Sequence, residues 1–340
     1  MLNVANTLAR QSVKTAGFIL LMFYAFALAA DFISPYHFAN EERRLSYASP
    51  TPIHFFHEGH LQWPFVYGII DGFDQYHRRT FTADTSKRYP IKFFSQGKLM
   101  TVDNPGRLYL LGADSRGRDM LSRLIYGARV SLTIGLIGAL VAFCIGLIVG
   151  AVAGYFGGWI DSVLMRLCEV FMLAPAFYLM LALRSAVPTN FNSVQVYLMV
   201  IIILSLIGWA SLARIIRGMS LSLRKRSYVD TAKLLGLSNW QIILKHILPH
   251  TASYALVAVS LTIPSYILAE AGLSLLGLGI QDPVPSWGNM LADSMTIVVI
   301  QFAPWLLWPG IIILITVICF NHLGEAFRDA LDPLYHDKKS

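Results

Sequence analysis

Two carboxylates set within apolar runs, Glu169 and Glu270, are the side chains of this sequence with the clearest capacity for chemistry of their own. An acid at membrane depth is costly unless it faces protein or water, so each is a candidate station for a proton or cation. Glu169 lies about 12 Å along its helix from Asp161 at the standard rise. It reads either as a pathway residue or as a structural partner of Arg166 or of a neighbouring helix. Glu270 lies about 28 Å from Thr251 if that helix is continuous, where an outer gate and a fixed ion pair are both open readings. His54, His57 and His60 recur every third residue. An alternating strand would put His54 and His60 on one face and His57 on the other, and Glu58 is the acid beside them, so they read as a surface cluster. Cys144, Cys168 and Cys319 stand singly in apolar runs without ligand spacing and are expected to be buried packing residues. No GxxxxGK[ST], HExxH or GxSxG pattern occurs, so the chain is not expected to hydrolyse ATP or to be an enzyme at all.

The elements that would carry these groups are membrane spans. Of 340 residues 55% are hydrophobic and 14% charged, and the apolar residues come in uninterrupted runs. That pattern, with a mean hydropathy of +0.55, belongs to a multi-pass membrane protein. A net charge of +7 invites a nucleic-acid reading, but basic residues beside spans explain it more simply by holding loops in the cytoplasm. The spans fall at about 16–33, 134–156, 161–186, 196–213, 251–278 and 302–320. The first also resembles a signal peptide, since Ala27, Leu28 and Ala29 resemble a small-residue cleavage site. Arg214, Arg217, Arg224, Lys225 and Arg226 crowd behind the fourth span and mark its cytoplasmic end. Ala142, Gly146, Gly150 and Gly154 repeat every fourth residue along the second and predict a closely packed helix interface. Pro175 is expected to kink the third span.

Two water-facing stretches remain. Residues 34–118 contain no span, and short β-like runs at 53–56, 64–67 and 89–94, punctuated by glycines, suggest a small, partly β extracytoplasmic lobe. The charges of the following stretch, Asp114, Arg116, Arg118, Asp119, Arg123 and Arg129, are too many for the bilayer core and should pair among themselves or lie at the outer interface. Residues 227–249, SYVDTAKLLGLSNWQIILKHILP, form a polar interlude between spans. Ser227 with Asp230, and Ser238 with Gln241, match capping boxes and predict two short helices. Gly236 should end the first, and the second should stop at Leu248 ahead of Pro249. Tyr228, Thr231, Ala232 and Leu235 share one face of the first helix; Trp240, Ile243, Leu244 and Ile247 form a stripe on the second.

Asp230, Thr231, Ala232, Gly236, Leu248 and Pro249 are spaced like the "EAA" loop of permease subunits of binding-protein-dependent ABC importers. Asp230 replaces the usual Glu, Thr231 replaces the first Ala, and His246 replaces an aliphatic residue. LGADSRGRDMLSRLIYGARVSL at 111–132, LAEAGLSLLGLGIQDPVPSWGNML at 268–291 and NHLGEAFRDALDP at 321–333 resemble the oligopeptide, dipeptide and nickel permease branch, with Ala113 in place of a common Thr. Pro283, Pro285, Ser286 and Trp287 read as a rigid outer turn with an interfacial aromatic, and 321–333 as a short cytoplasmic helix ending at its proline.

The resemblance implies an all-α multi-pass membrane protein of about six transmembrane helices, with a cytoplasmic coupling-helix loop and a small, partly β extracytoplasmic insertion. Its expected organisation is a cytoplasmic N-terminus and first span at 1–33, the insertion at 34–118, the permease core at 119–324 with the coupling loop at 220–249, and a cytoplasmic tail at 325–340. Such a subunit sits in the bacterial inner membrane with both termini in the cytoplasm. It forms half of a translocation path for di- or oligopeptides. The implied partners are ABC ATPase subunits that bind ATP and Mg, a second homologous permease, an extracytoplasmic solute-binding protein and lipid, but no nucleic acid. This chain needs no cofactor. The alternative class is a stand-alone ion-coupled secondary transporter that uses Glu169 and Glu270.

Overall fold

Helix follows from the apolar runs, and strand from the polar insertion between the first two of them. A computed structural model of the chain describes residues 2–57, 59–73, 75, 79–173, 175–186, 188, 191–295 and 297–331. Helix α1 is Leu2–Leu28, followed by the single turn α2, Ala30–Ile33. Five strands come next: β1 His54–His57, β2 His60–Phe73, β3 Arg79–Pro90, β4 Lys92–Ser95 and β5 Lys98–Thr101. The remaining helices are α3 Met120–Phe156, α4 Gly158–Leu173, α5 Ala176–Ser185, α6 Ser193–Leu223, α7 Ser227–Leu234, α8 Asn239–Ile242, α9 Leu248–Leu275, α10 Trp287–Asp293, α11 Ile297–Phe302 and α12 Trp308–Leu331. Among the described residues five helices are long and apolar enough to cross a membrane, or six if α4 and α5 are one broken span. The chain divides into two compact units, 1–20 with 133–270 and 315–340, and 21–132 with 271–314.

In the first unit the small-residue repeat of α3 has the expected consequence. A methyl group at Gly146, Gly150 or Gly154 would come within 3 Å of the carbonyl oxygens of Trp209, Ala213 and Arg217, so the backbones of α3 and α6 touch along that seam. Helix α4 is tied to the same α6 by the bidentate Asp161–Arg217 pair and by the edge-on rings of Phe171 and Trp209. Pro175 does more than kink the third span. It is the N-cap of α5, and α4 and α5 meet at 88°, because a proline supplies no ladder N–H and crowds the preceding turn. The sixth span is continuous through Leu331, so no separate helix starts at Asn321. No proline occurs in 321–331 and the single Gly324 is tolerated within the helix, while Pro333 lies outside the described residues.

In the second unit the insertion is richer in strand than its sequence suggests. Antiparallel β1, β2 and β3 form one sheet in that order, and β4 pairs with β5 in a hairpin. Two small cores fill it, Leu45, Ala48, Tyr109 and Ala113 in one and Val66, Ile91 and Leu108 in the other. His60 does not share a strand with His54: the chain turns, and His60 pairs with His57 across it. A register shift between His54 and Phe56 breaks the alternation, so His54 and His57 both lie against Phe65. Glu58 lies outside the described residues, and no group of three His, Cys, Asp or Glu is placed to hold a metal among those described. Trp287 is no interfacial aromatic. It is 1% exposed, its Nε1–H donates to the Leu124 carbonyl at 3.0 Å and its N–H to Ser131 Oγ, because the Ser286 capping box turns α10 inward. Cys168 and Cys319 are buried, whereas Cys144 is exposed on the opposite side of α3 from its glycines.

Candidate functional site

The stretch 227–249 folds as a knuckle whose inner side is anchored and whose outer side is bare. Helix α7 ends in a pair of reverse hydrogen bonds, Leu237 N–H to the Ala232 carbonyl and Gly236 N–H to that of Lys233, the Schellman arrangement that needs a left-handed residue. Gly236 supplies it at φ +80°, and a side chain there would meet nothing, so only the backbone conformation demands glycine. The Ser238 box forms as expected, with Gln241 N–H donating to Ser238 Oγ and Ser238 N–H to Gln241 Oε1.

The Ser227 box does not form. Arg226 is the N-cap, without a side-chain bond. Ser227 is already helical, its carbonyl accepts from the Thr231 hydroxyl, and Asp230 pairs with Lys233 at 3.2 Å. Nor does the second helix stop at Leu248. A π-type segment, Ile243–Ile247, joins α8 to α9, and Leu248 N–H reaches back five residues to Ile243. The wider turn carries the chain through Pro249, which has no N–H to give.

That turn also changes which residues face inward. Val229, Ala232, Ile242, Ile243 and Ile247 pack with Ala151, Tyr155, Leu212, Ile216 and Ala255. Tyr155 donates its hydroxyl to Asn239 at 2.8 Å, and Arg224 caps the end of α3 through the carbonyls of Gly154 and Tyr155. Trp240 and Leu244, expected beside Ile243 and Ile247, are exposed instead; Leu244 lies within the π turn, which a helical wheel of 3.6 residues does not describe. With Leu234, 89% exposed, and Leu235, 75% exposed, they are the four large apolar side chains that the loop leaves uncovered, its crest. Of the site residues, Ala232 is a buried anchor, Gly236 makes the turn, Asp230 and Thr231 lie on the exposed side, and Leu248 and Pro249 open α9.

The two intramembrane acids are not equivalent. Glu169 is half-exposed and 3.8 Å from Arg214 of α6, the neighbouring-helix partner rather than Arg166. Glu270 is fully buried. A cavity of about 70 Å³, apolar apart from Ser211 and Thr262, lies between α3, α6 and α9 and is lined by neither acid.

In the second unit, residues 114–123 build a closed charge hub. Arg118 and Arg123, each 1% exposed at the side chain, donate to Asp114 at 2.7 and 2.6 Å and to Asp282 at 2.9 and 3.1 Å. Arg116 extends the network to Glu41. The expected pairing therefore occurs, but Asp282, which completes it, was not singled out from the sequence; its signal was an acid ahead of the Pro283–Trp287 turn. Asp119 is excluded from these pairs. It accepts from Ser122 N–H and Oγ–H, its Oδ1 has no hydrogen-bond partner among the described residues, and burial pushes its carboxyl up to about 6. Burial likewise raises Asp293 to about 6, with Asp282 adding repulsion.

Residues 146–337 match the family described as binding-protein-dependent transport system inner membrane component. The oligopeptide transport system permease protein OppC of Haemophilus influenzae is 39% identical over 226 residues, 66% of this chain and 70% of that protein. The glutathione transport system permease protein GsiD of Pectobacterium atrosepticum is 37% identical over 232 residues, 68% and 74% of the two chains. A chain of the inward-facing MetNI methionine ABC transporter is 18% identical, with 63% of this chain and 98% of that one covered at a TM-score of 0.46. The family match over more than half the chain, with relatives of this identity, shows that the chain belongs to the binding-protein-dependent transport system inner membrane components, as a multi-pass permease subunit of an ABC importer in the oligopeptide, dipeptide and nickel branch.

Proposed function

We propose that this permease subunit conducts peptide-type substrates and is powered through the knuckle by separate ATPase subunits that bind ATP and Mg. The observation that carries this reading is the crest of Leu234, Leu235, Trp240 and Leu244, left bare on a loop whose other side is firmly packed. An apolar patch of this kind is expected to be covered by a partner. Asp230 and Thr231 would contact the ATPase at its edge, while Ala232, Gly236, Leu248 and Pro249 keep the shape. Because α8, the π segment and α9 form one continuous rod, displacement of the crest would be passed directly into the fifth span. The names of the similar OppC and GsiD proteins, oligopeptide and glutathione permeases, support a peptide-type cargo. A second permease would complete the path, a solute-binding protein would deliver cargo, and both termini would lie in the cytoplasm with the knuckle. The family match gives no support to an ion-coupled transporter working alone.

The test replaces Leu235 and Trp240 together by alanine in the complex reconstituted with its partners. Both side chains are exposed, so membrane insertion and thermal stability should stay at parental values while ATP-driven uptake falls at least tenfold. Parental uptake by this variant would refute the knuckle as the point of power input.

A further inference from the structure

The outer lobe leaves large apolar side chains uncovered where it meets the end of the first span. Along α1 and α2, Leu21, Ala25, Leu28 and Phe32 are all exposed and recur at spacings of four and three residues, one stripe along a helix face. The stripe does not end with the helix. The ring of Phe32 meets that of Phe94, centroids 6.2 Å apart, at the β4–β5 hairpin. Phe94 is 75% exposed and held at φ +53°, a left-handed conformation that costs a bulky residue about 1–2 kcal/mol. Beside it, Phe93 sits edge-on to Trp63 at 5.9 Å, and Trp63 is 64% exposed with its Nε1–H satisfied by the Ile91 carbonyl.

Polar groups at the same level mark where the membrane surface must lie. Asp31, next to Phe32, forms an exposed ion pair with Arg129 at 3.0 Å, and Arg129 also donates to the Ala27 carbonyl. Charges at this turn, with apolar helix on one side and a folded polar lobe on the other, place Phe32 and Phe94 at the headgroup boundary. Lys98 is anchored beside it on the Ser34 carbonyl, and Lys92 is exposed at the start of the hairpin. Aromatic rings interleaved with cations are the composition of an interfacial anchor.

We propose that the β4–β5 hairpin is a lipid-binding anchor: Phe94, with Phe32, Phe93 and Trp63, enters the headgroup and upper acyl layer of the outer leaflet and fixes the height of the lobe over the bilayer. The argument for lipid as the occupant is continuity, since Phe94, against Phe32, prolongs the apolar stripe of a membrane span.

The test uses the full-length chain in nanodiscs of phosphatidylethanolamine and phosphatidylglycerol, with the three native cysteines replaced by alanine and a nitroxide at Phe94→Cys or, as reference, at exposed Thr85→Cys on β3. Power-saturation EPR compares collisions with oxygen, which concentrates in lipid, and with a water-soluble nickel chelate. The ratio of oxygen to nickel accessibility should be at least threefold higher at position 94 than at 85. Equal ratios, as for a water-facing loop, overturn the proposal, and so does low accessibility to both reagents, as for a hairpin covered by protein. In a second arm with native cysteines, Trp63→Phe should remove part of the tryptophan quenching produced by lipids brominated near the headgroup. Unchanged quenching overturns the proposal as well.

Discussion

The knuckle and the charge hub treat polar and apolar groups in opposite ways. At 227–247 the charges of Asp230 and Lys233 are exposed, and so is a crest of four large apolar side chains. At 114–123 two arginines and Asp114 are buried together with hydrogen bonds of 2.7 and 2.6 Å, and apolar groups such as Met120 are inside. A buried ionic network tolerates no loss of a member, since the survivor is left charged and dry. A bare apolar crest tolerates substitution but invites a partner. The hub is a closed structure, and the knuckle an unfinished one.

Breaking the hub should have the largest effect. Asp114→Ala leaves Arg118 and Arg123 facing only Asp282, and the expected loss is about 3–5 kcal/mol, read as a collapse in membrane accumulation and in thermal stability. Wild-type accumulation would mean that the network contributes little. A smaller effect should come from pH. Asp119 and Asp293 have carboxyls raised from 3.8 to about 6, so the folded chain holds these protons more tightly than an unfolded one. Their contribution is fully present below about pH 4, is lost as pH rises to about 6, and is flat above. Hydrogen exchange corrected for intrinsic rates should show protection of 111–123 falling between pH 4.5 and 6.5 while that of 227–247 stays level. Equal changes in both segments would remove the contrast. The smallest effect belongs to Gly236→Ala. No atom obstructs the methyl group, so only the left-handed backbone resists it, by about 1–2 kcal/mol. The chain should insert normally, with ATP-driven uptake reduced severalfold; parental uptake would mean that the turn geometry does not matter for coupling.

Much of the knuckle was legible. Ser238 with Gln241 and the turn at Gly236 are local features, fixed by side chains three residues apart and by a residue without a Cβ. What failed there was also local in appearance but not in cause. The stop at Pro249 and the Trp240 to Ile247 stripe both assumed an α-helix, and the π turn that overrides them is stabilised by the packing of Ile242, Ile243 and Ile247 against α3, α6 and α9. Trp287 failed for the same reason: beside two prolines it looked interfacial, yet its place is set by Leu124 and Ser131, more than 150 residues earlier.

The sequence alone determined that this chain spans the membrane several times, that α3 carries a close-packing seam, and that a capped polar loop interrupts the fourth and fifth spans, because hydropathy, small-residue spacing and caps act over a few residues. Only the tertiary structure decided that Asp282 completes the arginine hub, that Trp240 and Leu244 face outward, and that Phe94 meets Phe32. Those outcomes depend on which distant surfaces come together, and burial energy is a property of both surfaces, not of either segment by itself.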